Sequence, residues 1–179
     1  MTEYERTIKS LAEERKNEFF YNSSDSHART VLNSMIENAE KYVHIICGNM
    51  CSEVSTNPEF LGIVRKFLSG DSSRKFYVLF DEYNPEFLNK EIAKVLAEYP
   101  EQVKVKKFKE KEMYLTYKGI RAHLAISDNR AFRLETAVNE KMAFGNFNDE
   151  EKAKVFDEVF NRFFSNNEYS EQINLTDAA

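Results

Sequence analysis

The residues of this chain best suited to chemistry are Arg121, His123, Asp128, Arg133, Glu135 and Asn139, and their spacing decides what they can do together. In an extended strand successive side chains point to opposite faces. Arg121, His123, Ala125 and Ser127 therefore share one face, and Ile120, Ala122, Leu124 and Ile126 the other. The following run alternates in the same way, with Arg133, Glu135, Ala137 and Asn139 on one face and Phe132, Leu134, Thr136 and Val138 opposite. Asp128-Asn129-Arg130 between the runs is turn chemistry. A three-residue turn centred on Asn129 sets His123 against Glu135 and Arg121 against Ala137, so the two polar faces coincide. An imidazole oriented by a carboxylate offers a nucleophile, and guanidinium groups beside it offer charge for an anion. The same residues also satisfy one another as a salt-bridged sheet face.

The elements that must position this hairpin can be read from the hydrophobic pattern. Tyr42–Cys47 and Lys75–Phe80 are short, apolar and bounded by turn residues, as buried strands are, and Val103–Lys106 reads as a third. Between them, Phe60, Leu61, Val64, Phe67 and Leu68 keep helical spacing up to Gly70, and Leu88, Ile92, Val95 and Leu96 supply the face of another helix. Crossovers of this length favour parallel pairing. Ahead of them, Ala28, Val31, Leu32, Met35 and Ala39 form a helix that Ser24, Asp25 or Ser26 can cap and that ends near Lys41, and residues 4–20 read as a weakly amphipathic helix. Met142–Phe147 reads as a last strand. A final helix follows, capped by Asn148 or Asp149 and carrying Ala153, Phe156, Phe160 and Phe163. The expected fold is α/β, a mixed β-sheet flanked by helices, in three parts: an N-terminal helical extension over 1–24, an α/β domain over 25–164 and a polar, frayed tail over 165–179.

With 179 residues the chain can bury one sizeable core, and 15 Phe and 9 Tyr with 42% hydrophobic residues exclude a disordered polymer. No apolar run approaches the roughly 18 residues of a membrane helix, and Glu3 and Glu5 occupy the place of a basic leader segment, so the expected location is cytoplasmic. A net charge of −5 argues against a general nucleic-acid coat and leaves a local basic face as the alternative.

The stretch from Lys118 to Phe164 resembles the phospholipase D-like domain, whose signature is HxKxxxxD, followed after about six residues by a GSxN-like segment and then an Asn-Phe step before a closing helix. Arg121-Ala-His123-Leu-Ala-Ile-Ser-Asp128 has the signature's length and its final aspartate. Glu135-Thr136-Ala137-Val138-Asn139 stands where GSxN would be, and Gly145-Asn146-Phe147-Asn148-Asp149 matches the closing step. The order of elements from Ala28 to Phe80 agrees in outline, so the resemblance covers roughly residues 25–164. It implies one motif copy, half of a cleft that a second subunit completes, and hence a homodimer. In active members the histidine attacks phosphorus and the lysine steadies the charged oxygens. Here the nucleophile position is Arg121, which keeps its proton and has no lone pair, and the lysine position is His123. Asp128 and Asn139 are retained, while the serine position is Ala137.

The expected function is therefore a degenerate, non-catalytic phospholipase D-like module. Arg121, Arg133 and Asn139 hold an anion such as phosphate or nucleic acid, Asp128 supports the motif, and no cofactor or metal takes part. The alternative is a metal-independent phosphodiesterase or nuclease in which His123 attacks, oriented by Glu135. That requires the substrate to shift by about 6.6 Å along the strand. His44, Cys47 and Cys51 do not make a metal set, because His44 and Cys47 point to opposite faces of a strand. Five lysines between Lys104 and Lys111 read either as a nucleic-acid face or as the protected edge of the sheet. No protein partner is named by the sequence.

Overall fold

The computed structural model of the chain describes residues 1–178. An eight-stranded mixed sheet forms the middle layer, in the order β1-β9-β8-β7-β2-β3-β4-β10. Its parallel part is β2 (Tyr42–Cys47), β3 (Lys75–Phe80) and β4 (Val103–Phe108), joined in register from Tyr42↔Lys75 and Phe76↔Val103 onward. β2 and β3 are rich in β-branched and aromatic residues and largely buried on both faces, as central parallel strands are, while β4 buries Val103, Val105 and Phe108 and leaves Lys104 exposed. The crossovers supply α3 (Glu53–Thr56), α4 (Pro58–Gly70), a 3-10 turn over Pro85–Asn89 and α5 (Glu91–Ala97). Together with α1 (Glu3–Glu13) and α2 (Asp25–Glu37), they bury one sheet face over Val31, Met35, Phe60, Val64, Phe76 and Phe80. The opposite face packs on α6 (Glu150–Ser165), with Leu124, Ile126, Phe132, Leu134, Ala153 and Phe160 in its core.

The antiparallel part is β7 (His123–Ser127), β8 (Ala131–Ala137) and β9 (Met142–Asn146), with β1 (Phe19–Asn22) at one edge and β10 (Ser170–Gln172) at the other. Asp128 and Asn129 turn the β7–β8 hairpin in the left-handed region, at φ 57° and 51°, which short polar side chains tolerate. The Asp128 carboxylate accepts from the backbone N–H groups of Glu40, Lys41 and Tyr42 at 2.7–3.0 Å, so it pins the entry of β2 to the hairpin. Asp128 makes these contacts at the far end of β7 from His123.

Several boundaries differ from the sequence reading, each for a tertiary reason. The first helix stops at Glu13, and Phe19–Asn22, read as helix end and polar connection, pairs with β9. The second helix ends at Glu37, with Asn38 as its C-cap, rather than near Lys41. The helix of Leu88–Leu96 is broken by extended backbone at Lys90. The strand expected over Ile120–Ser127 is interrupted at Ala122, whose N–H donates to Leu115. Ile120–Arg121 becomes β6, paired with β5 (Thr116–Tyr117), and the expected Arg121–Ala137 pair does not form. The tail is not frayed: β10 pairs with β4 and Ile173 enters the core, while Ala179 lies outside the described residues. Consequently β4 is not an edge. Lys106 Nζ donates to the Phe164 carbonyl at 2.7 Å and Lys107 pairs with Glu171 at 3.0 Å, so these lysines tie down the C-terminal segment.

Candidate functional site

Register brings the hairpin residues to the C-terminal ends of the parallel strands, where open α/β sheets present their crevices. β7 runs antiparallel to β2 with Leu124 beside Ile46, so His123 lies at the level where β2 ends. His123 also faces Glu135 across the hairpin, as the three-residue turn requires. Its Nδ1 is 2.9 Å from Glu135 Oε2. Arg133, two residues along the same face, donates from a terminal nitrogen to Glu135 Oε1 and from Nε to Asn22 Oδ1, both at 2.9 Å. Arg133, Glu135 and Asn22 are all buried.

Two further carboxylates change the site. Asp81 and Glu82 follow β3 directly, their N–H groups extending the ladder to the carbonyls of Cys47 and Gly48. Asp81 takes Arg121 in a two-pronged contact, Nε to Oδ2 at 2.9 Å and a terminal nitrogen to Oδ1 at 2.7 Å, and Glu82 takes the remaining prong at 2.6 Å. Asp81 Oδ2 also lies 3.4 Å from His123 Nε2, close enough for charge though long for a hydrogen bond. The sequence reading set Arg121, His123 and Arg133 against Glu135 alone. In the fold they meet three carboxylates, and with His123 charged the cluster is neutral. Asp81 and Glu82 carried a usable signal, acidic residues just past a buried parallel strand. Asn22 carried none, because its segment looked like a connection.

The charge states support one another. Burial raises the carboxyl pKa values of Asp81 and Glu135, but hydrogen bonds and charge from His123, Arg121 and Arg133 outweigh it and hold both below their usual range. Burial lowers the His123 pKa, and the two carboxylates outweigh that and raise it. The stability consequence has a defined sign. The two depressed carboxyl groups stabilise the fold above their unfolded pKa values, and this is lost as pH falls through the folded ones. The raised imidazole stabilises fully below its unfolded pKa, and this is lost as pH rises through the folded one. We expect urea midpoints to be highest between about pH 4.5 and about pH 6.5 and to fall on both sides. His123→Gln should remove the decline on the alkaline side; an unchanged profile in that variant would contradict the assignment.

Beside the cluster is a cavity of about 360 Å³, walled by α2 at Asp25, Ala28 and Leu32, by the β2–α3 loop from Gly48 to Ser52 and by α3 at Val54 and Ser55. His123, Arg133, Glu135 and Cys47 line its inner side, and Asn139 and Lys141 also line it. Asn139 is thus next to the cavity but, being exposed in the β8–β9 turn, stands apart from the ionic cluster. Burial, reinforced by Asp81 and Glu135, pushes the Cys47 thiol up, so it is no thiolate nucleophile. His44 lies on the other sheet face, 2.6 Å from Asp157 in an aromatic stack with Tyr42 and Phe160. Among the described residues no three His, Cys, Asp or Glu side chains are placed to hold a metal.

No family model and no curated protein matches the sequence. Solved structures do match. NucT from Helicobacter pylori aligns at 17% identity and a TM-score of 0.56, over 83% of this chain and 97% of that one. TrmBL2, an archaeal chromatin protein described with a novel mode of DNA binding, aligns at 12% and 0.58, over 94% and 61%. Phosphatidylserine synthase of Haemophilus influenzae aligns at 11% and 0.55, over 89% and 40%. The chain thus spans nearly all of the first and about three-fifths and two-fifths of the others. At these identities the likeness establishes architecture alone, and with the eight-stranded mixed sheet between its helices the chain has a phospholipase D-like fold.

Proposed function

We propose that this chain is a non-catalytic phospholipase D-like unit that serves as a binding and assembly module. The observation that carries this reading is Arg121. It stands at the nucleophile position of HxKxxxxD, and its guanidinium is spent on Asp81 and Glu82. His123, at the lysine position, has Glu135 at 2.9 Å and Asp81 at 3.4 Å from its two ring nitrogens, and both favour the charged form, which has no lone pair for phosphorus. Asp81, Glu82 and Glu135 also offset the positive charge of Arg121, His123 and Arg133, so the cluster offers a phosphodiester no net positive charge. The anion-binding form of the proposal rests on Arg133, which lines the cavity and whose remaining N–H groups have no acceptor among the described residues. Asn139 adds an amide there, and Arg121 holds the cluster's outer side.

A second reading, a metal-independent phosphodiesterase, is favoured by one observation: Glu135 orients His123 at 2.9 Å beside the cavity. Incubation with bis(4-nitrophenyl) phosphate and with single-stranded and duplex oligonucleotides, in chelator, separates the two. We expect no turnover above that of His123→Ala. Turnover in the wild type that His123→Ala abolishes would overturn the proposal in favour of the enzyme.

A further inference from the structure

α6 covers its side of the sheet chiefly over β2, β7 and β8; toward β1 its Lys152 reaches over the Phe19 ring, and Phe19, Tyr21 and Met142 stay exposed. On that face Tyr21 lies beside Phe144, with Phe19 and Met142 one step along the same strands. The β5–β6 hairpin adds Tyr117 and Ile120, which with Phe19, Tyr21 and Phe144 line a groove of about 460 Å³. Phe19 is 47% exposed, Tyr21 71%, Ile120 59% and Met142 48%. Single exposed apolar residues are ordinary, but a contiguous group marks an interaction surface.

We propose that this face is where a second copy of the chain docks, about a twofold axis. The proposal rests on the assembly part of the function above and gives it a place. The family resemblance set the second subunit over the motif, whereas this patch lies on the opposite face of the sheet from Arg133 and Glu135. Area and charge argue for the occupant. Side chains of this size bury roughly 150–250 Å² each. At their exposures the four offer about 500 Å² per copy and about 1,000 Å² across a twofold pair, the least a specific interface needs. The exposed charges around them have both signs: Glu18 precedes Phe19, Lys118 lies between Tyr117 and Ile120, Glu140 lies two residues before Met142, and Lys152 sits over the Phe19 ring. A mixed rim can pair with its own copy, while nucleic acid calls for concentrated positive charge.

Sedimentation velocity from about 1 to about 100 µM tests this with the wild type, Tyr21→Ser and Ile120→Ser, each checked for folding by circular dichroism. The expected result is a wild-type dimer whose dissociation constant weakens by at least about 30-fold in either variant. Slower hydrogen exchange of residues 19–22 at higher concentration of unmutated protein is expected independently of any variant. A wild type that stays monomeric at the highest concentration, or a dimer that both variants leave intact, overturns the proposal. So does a monomer that retards a single-stranded oligonucleotide through Tyr21 and Ile120. Phosphodiester turnover would overturn the non-catalytic reading and leave this interface standing, whereas a monomer would remove the interface and leave the ionic cluster untouched.

Discussion

Replacing Arg121 by methionine is expected to destabilise the protein by about 3–5 kcal/mol at neutral pH. Methionine keeps much of the arginine's apolar length but not its fork. The cost arises at Asp81, whose side chain has no exposed surface and which loses both charge-assisted hydrogen bonds at once. His123 at 3.4 Å is the cation that remains to it. Glu82 adds little, since it is well exposed and solvent takes the guanidinium's place. Because the penalty is that of a stranded buried charge, Arg121→Met combined with Asp81→Asn should cost less than Arg121→Met alone. Urea denaturation of the single and double variants checks this, and equal losses in the two would place the energy elsewhere.

Gly145→Ala is expected to cost about 3 kcal/mol or more, or to prevent folding. A methyl group at Gly145 would come within 3.0 Å of both the Phe132 carbonyl oxygen and the Phe20 ring. Neither neighbour can retreat. Phe132 belongs to the β8–β9 ladder, and Phe20, from β1, is wedged against Phe147 with ring centroids 4.8 Å apart. The opposite sign is expected at Gly62, inside α4 with nothing within 4 Å of a new methyl, where alanine should stabilise by about 0.5–1 kcal/mol. Thermal melts of the two variants give the comparison. The segment Gly145-Asn146-Phe147-Asn148-Asp149 thus has structural work to do. Gly145 admits Phe20, the Asn146 side chain accepts from the Asn148 N–H and donates to Asn17, and Asp149 caps α6 through the Lys152 N–H.

The parts of the fold that were legible in the sequence are those whose signal is local. Tyr42–Cys47 and Lys75–Phe80 announce themselves as nearly uninterrupted apolar runs, and both occur with those bounds. The His123–Glu135 pairing follows from one turn and strict alternation. Elements stabilised by distant partners were not legible. β1, Phe-Phe-Tyr-Asn, is too short to carry its own alternation and divides between the end of a helical run and a connection until β9 pairs with it, and Ser170–Gln172 becomes a strand because β4 offers an edge. The site divides along the same line. Its hairpin half was readable, while the residues that decide its charge, Asp81 and Glu82, reach it through the β2–β3–β4 crossovers. An apparent surplus of positive charge on one hairpin becomes a balanced cluster once those two carboxylates arrive.

His123 lies between two carboxylates that raise its pKa and favour the charged ring, the form with no lone pair to attack phosphorus. Nitrogen chemical shifts of the His123 imidazole, followed by NMR across pH and assigned with His123→Gln, test it most directly. The prediction is an imidazole with both nitrogens protonated in more than half of the molecules at about pH 6.5, titrating above the ordinary histidine value. A neutral ring at that pH with an unprotonated Nε2 would contradict it.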